Sequence, residues 1–177
     1  MGIFDKLKSV PFMDMIQDQR LKELVTRREF RLTEEYLHRE FLSRAEDEEL
    51  TELKLQLEDG HAVLSGKLKK SPLPFAIPFA ARFVMHSVDF SSRGKLVHLK
   101  LEEVKPLDLD WVTQKLVGKV PFLSYADRLL ACDLTRVPRL AELFACQVKG
   151  VYPADFLVLK ELSLKKGEVV GRVGLCL

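Results

Sequence analysis

The sequence contains few of the residues that build disulfide, metal or redox sites. Its 177 residues include three cysteines, Cys132, Cys146 and Cys176, and no two of them are closely spaced. An odd number of cysteines, each among apolar neighbours, is typical of small buried side chains in a reducing compartment. The four histidines are dispersed, whereas a zinc site needs close pairs of Cys and His. We therefore expect no metal and no other cofactor.

Motifs for nucleophilic catalysis and for phosphate binding are also missing. The chain has no GxSxG, P-loop, GxGxxG or HExxH segment. Cys132 precedes Asp133, and a neighbouring carboxylate raises the pKa of a thiol and so lowers its reactivity. The acidic run at 46–49 is typical of a solvated loop more than of an acid/base pair. We therefore predict no catalytic residue and no enzymatic activity.

Long hydrophobic runs are absent as well. No window approaches the roughly 18 uninterrupted apolar residues of a bilayer-spanning helix. The opening residues MGIFDKLKSV lack the apolar stretch of a signal peptide, and Lys6 stands where a myristoylation pattern needs Ser or Thr. We expect a cytoplasmic protein. Because Ile3, Phe4 and Leu7 alternate with lysines, a peripheral contact with the inner membrane stays open as an alternative.

Neither sign of charge dominates, because 28 Lys and Arg stand against 26 Asp and Glu. The distribution is uneven: residues 32–59 carry ten acids and three bases, and the rest of the chain is net positive. A nucleic-acid groove needs basic residues clustered with stacking aromatics, and the sequence has no such run. We therefore expect no nucleic-acid partner and interpret the acidic stretch as a solvated helix face.

Two stretches near the N-terminus have helical periodicity. Pro11 suits the first turn of a helix, and the apolar residues that follow it are spaced as on an amphipathic helix to about Arg28. Thr33 is a good N-cap for a second helix, which carries Leu37 and Phe41 and ends at about Ala45. We divide the chain into an N-terminal amphipathic helical segment, 1–31, and one α+β domain, 32–177.

The firmest local prediction is a β-hairpin with the turn Asp59-Gly60, because leucines alternate with polar residues on both sides of it. A second hairpin is predicted around Lys166-Gly167. The segment 55–68 aligns with 162–175, and five positions match: Leu55/Leu162, Leu57/Leu164, Gly60/Gly167, Val63/Val170 and Leu68/Leu175. Such matches are common between any two hairpins, so they allow a helix–hairpin pseudo-repeat without requiring one.

The central segment predicts a long, bent strand. Three prolines between Pro72 and Pro78 suit an irregular edge that enters a strand, since each removes a backbone donor. Apolar residues then alternate, and their parity switches near Phe83-Val84, which indicates a β-bulge. With the alternating Val97, Leu99 and Leu101, this pattern predicts an antiparallel, curved sheet.

The remaining elements complete an α+β pattern. Asp108 or Asp110 is expected to cap a helix that contains Trp111 and ends at Gly118. A short strand at 128–134 and a helix from Pro138 to about Ala145 follow. The order of helices and hairpins predicts a curved antiparallel sheet wrapped on long helices.

Parts of the chain resemble the bacterial relatives of tubular lipid-binding (TULIP-like) proteins. The resemblance rests on LTEEYLHREFLSRAEDEELTELKLQLEDGHAVLSGKLKK (32–70), PFAIPF, and GKLVHLKLEEVKPL (94–107). In that family a capped helix precedes a strand, an Asp-Gly turn and a strand ending in a pair such as Ser65-Gly66. The resemblance implies a long, curved sheet that wraps a helix and encloses a lipid, with no catalytic residue.

Two functional hypotheses follow. In the first, a lipid or other long apolar small molecule binds in a cavity between curved sheet and helix, lined by Phe75, Ile77, Phe79, Phe83, Val88, Phe90, Leu99 and Trp111. In the second, the same side chains fill a solid core, and the domain is an interaction or scaffold module for a protein partner. Burial of apolar area favours both about equally, because packed Phe rings recover similar area without a ligand.

Overall fold

The computed structural model describes residues 28–91, 94–106, 110–137, 141, 144–145, 150, 152, 155 and 157–175. The predicted helix after Pro11 and the membrane-contact residues Ile3, Phe4 and Leu7 lie outside these residues. So do Cys146, Cys176 and most of the helix predicted from Pro138.

The described chain is built mainly of strands. These are β1 Glu29–Thr33, β2 Leu50–Glu58, β3 His61–Lys69, β4 Ala76–Phe90, β5 Lys95–Lys105, β6 Leu123–Ala126, β7 Leu129–Asp133, β8 Leu157–Lys165 and β9 Glu168–Leu175. The helical elements are α1 Glu34–Leu37, a π-turn His38–Leu42, α2 Ser43–Ala45, α3 Asp110–Gly118 and a 3-10 turn Leu134–Arg136.

The strands form two antiparallel sheets. One has six strands in the order β2-β3-β4-β5-β7-β6, and the other has three in the order β1-β9-β8. The α+β class and the antiparallel meander of β2 to β5 are therefore confirmed. Long helices wrapped by the sheet are not shown, since α3 has nine residues and the helical segment of α1 and α2 is interrupted by the π-turn.

The helical segment after β1 begins and ends where the sequence predicts. The Thr33 hydroxyl accepts a hydrogen bond from the Tyr36 backbone N–H at 3.3 Å, which caps α1, and the segment ends at Ala45. The π-turn between α1 and α2 was not predicted. Within it, the His38 ring Nε2 lies 2.9 Å from the Leu53 carbonyl oxygen and joins the turn to β2.

Strand β1 is a second element that periodicity did not reveal. It pairs with β9 and spans the predicted boundary between 31 and 32. Phe30 pairs with Gly171, and its ring lies so close that a Cβ built on Gly171 would be 2.1 Å from Phe30 Cζ. The absent side chain at Gly171 therefore makes room for the aromatic ring that joins β1 to the sheet.

Strand β6 was also missed, whereas β7 lies where a strand was predicted. The two strands form a hairpin whose turn residues Asp127 and Arg128 both have positive φ, 51° and 63°. A two-residue turn of this kind usually contains Asn-Gly or Asp-Gly. Because Arg replaces that Gly, the sequence carried no clear turn signal here.

The tips of the two predicted hairpins meet each other. The Gly60 N–H donates to the Leu164 carbonyl oxygen at 3.1 Å, and the Gly167 N–H donates to the Leu57 carbonyl oxygen at 2.9 Å. These four residues are equivalent in pairs in the alignment of the two hairpins. The contact is therefore reciprocal, and it joins the six-stranded sheet to the three-stranded sheet.

Glu34 reinforces this junction from α1. Its backbone N–H donates to the Gly167 carbonyl oxygen at 3.1 Å, and its carboxylate accepts a hydrogen bond from the Leu57 N–H. Leu57, Ala62 and Leu164 form a small buried cluster beside it. One helix residue thus contacts both hairpins where they meet.

Candidate functional site

Most of the predicted lining residues lie along β4 on one face of the six-stranded sheet, which we call the inner face. Residues paired across antiparallel strands share a face. Phe83 pairs with Leu101 of β5, and Phe79 pairs with Gly66 of β3, the neighbouring strand on the opposite edge of β4. Further along, Met85 pairs with Leu99, Val88 with Val97 and Phe90 with Lys95. This register places Ile77, Phe79, Phe83, Val88, Phe90 and Leu99 on one face.

Two bulges keep these side chains together. The pairing of β4 with β5 shifts between Arg82 and Phe83, which leaves Glu102 unpaired on β5. It shifts again between Met85 and Ser87, which leaves His86 unpaired on β4. The predicted bulge is thus present, but on β4 it lies at His86, beyond Phe83-Val84. Because a bulge adds one residue to the strand, the inward-facing positions change from odd to even residue numbers while their side chains stay on the same face of the sheet.

The part of β4 before the bulge is tightly packed; we call 76–83 the packed segment. Phe79 and Phe83 are 7% and 4% exposed. They belong to one buried cluster with residues of α2, α3 and four other strands: Ala45, Leu50, Leu53, Leu64, Leu68, Ala81, Leu101, Val104, Leu116 and Leu130. This part of the inner face is a hydrophobic core.

Gly66 permits this close packing. A Cβ built on it would lie 2.8 Å from Leu53 Cδ2 and 3.2 Å from the Phe79 ring. Contacts shorter than 3.0 Å are not made by real Cβ atoms. Any side chain at position 66 must therefore displace Leu53 or Phe79.

The remainder of β4 is less enclosed; we call 84–90 the outer segment. Val88 and Phe90 are half-buried on the inner face, whereas His86, Ser87 and Asp89 are exposed. The Phe90 ring contacts the Phe144 ring edge to face, with centroids 6.5 Å apart. Met85 of this segment packs against the small cluster of Leu57, Ala62 and Leu164, so the apolar surface outside the buried clusters is that of Val88 and Phe90.

The other four predicted lining residues have different surroundings. Phe75 precedes β4 and is 61% exposed, next to the prolines that keep it out of the strand ladder. Ile77 is half-buried at the start of β4, and Leu99 packs against the core cluster. Trp111 lies in α3, but its side chain is outside what the structure describes.

Lys95 is the charged residue on this face. It is 4% exposed, and its ammonium donates to the Ser91 carbonyl oxygen and lies 5.0 Å from the centre of the Phe90 ring. Burial lowers the pKa of Lys95, while the more distant charges of Asp155 and Asp89 act to raise it. A cation thus lies at the end of the row of apolar side chains on the inner face of β4.

Reactive groups elsewhere in the described chain do not assemble into a site. Burial, with a smaller contribution from Asp133, raises the pKa of the Cys132 thiol to about 12, which opposes thiolate formation. His98 Nδ1 lies 3.3 Å from the Ser87 hydroxyl. Among the described residues no group of three or more His, Cys, Asp or Glu side chains has a metal-binding arrangement.

The acidic stretch is more structural than the sequence indicated. The Glu46 carboxylate accepts from the Leu53 N–H at 2.7 Å, and Asp47 accepts from the Leu50 N–H at 2.8 Å. Hydrogen bonding with Lys119 is the largest cause that lowers the pKa of Asp47. These side chains are exposed, yet they fix the start of β2, so the expectation of a plain solvated loop was incomplete.

Sequence reasoning missed Lys95, although a signal for it was present. Lys95 has the same parity as Val97, Leu99 and Leu101, so the alternation of β5 already places a lysine on the apolar face. Glu34 carried no comparable signal, because its partner Leu57 depends on how the hairpins dock.

None of the described helices combines the length and apolarity that crossing a bilayer requires. Comparison with protein-family models, curated proteins and solved structures found no match to this chain. The resemblance to TULIP-like proteins therefore stays a prediction, and the proposals below depend on the geometry of the inner face.

Proposed function

We propose that this chain binds a lipid or another long apolar ligand without catalysing a reaction on it. The observation that supports this is the uneven cover of the inner face along β4. The packed segment ends in a closed core, while Val88 and Phe90 of the outer segment stay half-buried on the same face. In this proposal the ligand lies along the outer segment, on the inner face of the six-stranded sheet.

The binding mechanism is exclusion of water from apolar surface. Each methylene that moves from water to an apolar surface contributes about 0.8 kcal/mol, so a chain of modest length supplies substantial affinity. The packed segment adjoins this binding surface, and its Phe79 and Phe83 are buried members of the core cluster. Of the predicted lining residues, Val88 and Phe90 are assigned to the ligand, while Leu99 belongs to the core side of the face.

Two adjacent residues of β4 provide a matched test. Val88 is on the inner face, and Ser87 is exposed on the opposite face. We expect Val88→Asp to weaken binding of a long-chain fluorescent fatty acid by at least about ten-fold, because it introduces a charge into the apolar surface. Ser87→Asp, with the same added charge, leaves binding unchanged.

Thermal melting of both variants checks that they fold. Equal binding by folded Val88→Asp and by the unsubstituted chain would show that the ligand does not lie along Val88.

The alternative is a protein-interaction or scaffold module with a filled core, and the dense cluster around Phe79 favours it. One surface for a protein partner is the acidic segment around 34–52, but Glu34, Glu46 and Asp47 of this segment contact backbone groups of this chain. The edge strand β8 is the second surface it offers. Absence of any binding by apolar probes, together with capture of a defined protein by β8, would favour this alternative.

A further inference from the structure

The inner face of the six-stranded sheet ends on a charge. Lys95 pairs directly with Phe90 and lies on the same face as Val97. Its residue surface is 4% exposed, although lysine is almost never fully buried unless it has a partner of opposite charge. The burial of Lys95 therefore needs a physical explanation, unlike the position of an ordinary surface lysine.

The described neighbours compensate this charge only in part. The ammonium donates to the Ser91 carbonyl oxygen and lies over the Phe90 ring, and both are favourable contacts for a cation. Among the described residues, Asp155 and Asp89 act on it through longer-range attraction, and no carboxylate there forms an ion pair with it. Burial remains the largest influence, and it lowers the pKa of Lys95. A buried cation without a close anion is costly to a fold.

The position of Lys95 next to Val88 and Phe90 suggests which group neutralises its charge. A ligand chain lying along Val88 and Phe90 brings its end to the ring that the ammonium covers. A charged head at that end supplies a close anion, which none of the described residues provides, and a charge-assisted hydrogen bond to it is stronger than a neutral one.

We propose that Lys95 binds the anionic head, a carboxylate or a phosphate, of the apolar ligand whose chain lies along the outer segment. The inference rests on the proposed function and narrows it to anionic amphiphiles. Ser91 and Phe90 hold the ammonium in place, and Lys95 selects the head without taking part in a reaction.

Three ligands with the same hydrocarbon chain test this selection: palmitate, hexadecyl phosphate and hexadecanol. Their affinities for the full chain are measured by displacement of a bound fluorescent apolar dye. We expect one or both anions to bind at least about ten-fold more tightly than hexadecanol, which is the scale of one charge-assisted hydrogen bond. Which anion is preferred distinguishes a fatty acid from a phosphate-bearing lipid.

Substitutions of lysines on β5 identify the group responsible. Lys95→Met is expected to lose the preference for anions and to keep hexadecanol binding, whereas Lys95→Arg keeps the preference. Lys100→Met removes an exposed lysine from the other face of the same strand and serves as the control.

The outcomes separate the two proposals. Equal affinity for anions and alcohol in the unsubstituted chain, or an anion preference that survives in Lys95→Met, would overturn the role of Lys95 and leave apolar binding intact. Absence of binding by all three ligands would overturn both proposals.

Discussion

The two parts of β4 are continuous in the chain and share one face, yet they differ in what covers them. The packed segment places Phe79 and Phe83 in a cluster completed by helices and neighbouring strands. The outer segment places Val88 and Phe90 on the same face with less cover and ends beside a buried lysine. One row of apolar residues can thus serve two purposes, a structural one in the packed segment and, in our proposal, ligand binding in the outer segment.

The largest expected difference between the two parts is in stability. Phe79→Ala removes a buried ring from the core, and we expect it to lower the free energy of unfolding by about 3–5 kcal/mol. Phe90→Ala removes a half-buried ring and is expected to cost roughly 1 kcal/mol. Urea denaturation measures both values. Equal costs would show that the outer segment is as much a part of the core as the packed segment.

Gly66 gives a smaller test of the packed segment. Gly66→Ala forces a methyl group against Leu53 and Phe79, and overpacking of this kind is expected to cost about 1–3 kcal/mol. Gly94→Ala, where no atom lies within 4 Å of the added Cβ, is the control. The same denaturation experiment compares them. A neutral Gly66→Ala would mean that the core around Phe79 has room to spare.

Lys95 gives the smallest expected effect on stability, with the opposite sign. The pKa of Lys95 is lowered in the folded chain, so the unfolded chain holds the proton more tightly. At neutral pH the buried ammonium is charged, and this charge lowers the free energy of unfolding. The penalty shrinks as the pH rises toward the usual lysine value of 10.5. We expect Lys95→Met to raise the melting temperature by a few degrees at neutral pH and to lose that advantage at high pH.

Thermal melts of both proteins across this pH range measure the difference. A lower melting temperature for Lys95→Met at neutral pH would assign Lys95 a stabilising role in the folded chain and weaken the case for an anionic ligand head beside it.

Local patterns predicted the elements that depend on local rules. The alternating leucines and the turns at Gly60 and Gly167 identified both hairpins, and Thr33 identified the start of α1. The parity switch in β4 identified a bulge, although the structure places the extra residue at His86. Several apolar positions satisfy either parity near the switch, so the sequence alone left its location open.

Contacts between distant segments were outside the reach of local patterns. Strand β1 is stabilised by Phe30 over Gly171, two residues that nothing in the sequence links. The reciprocal bonds of Gly60 and Gly167 follow from docking of the two hairpins. The parity of β5 already placed Lys95 on the apolar face, but its burial became evident only from the structure, in which its ammonium lies over the Phe90 ring.

Native mass spectrometry of the freshly purified full chain, followed by solvent extraction, tests the central claim most directly. We predict a mass excess that resolves into an anionic amphiphile, present in the unsubstituted chain and in Ser87→Asp and lost in Val88→Asp. Bare polypeptide mass in the unsubstituted chain, unchanged after incubation with cell lipids, would contradict the account and show that the outer segment holds no apolar ligand.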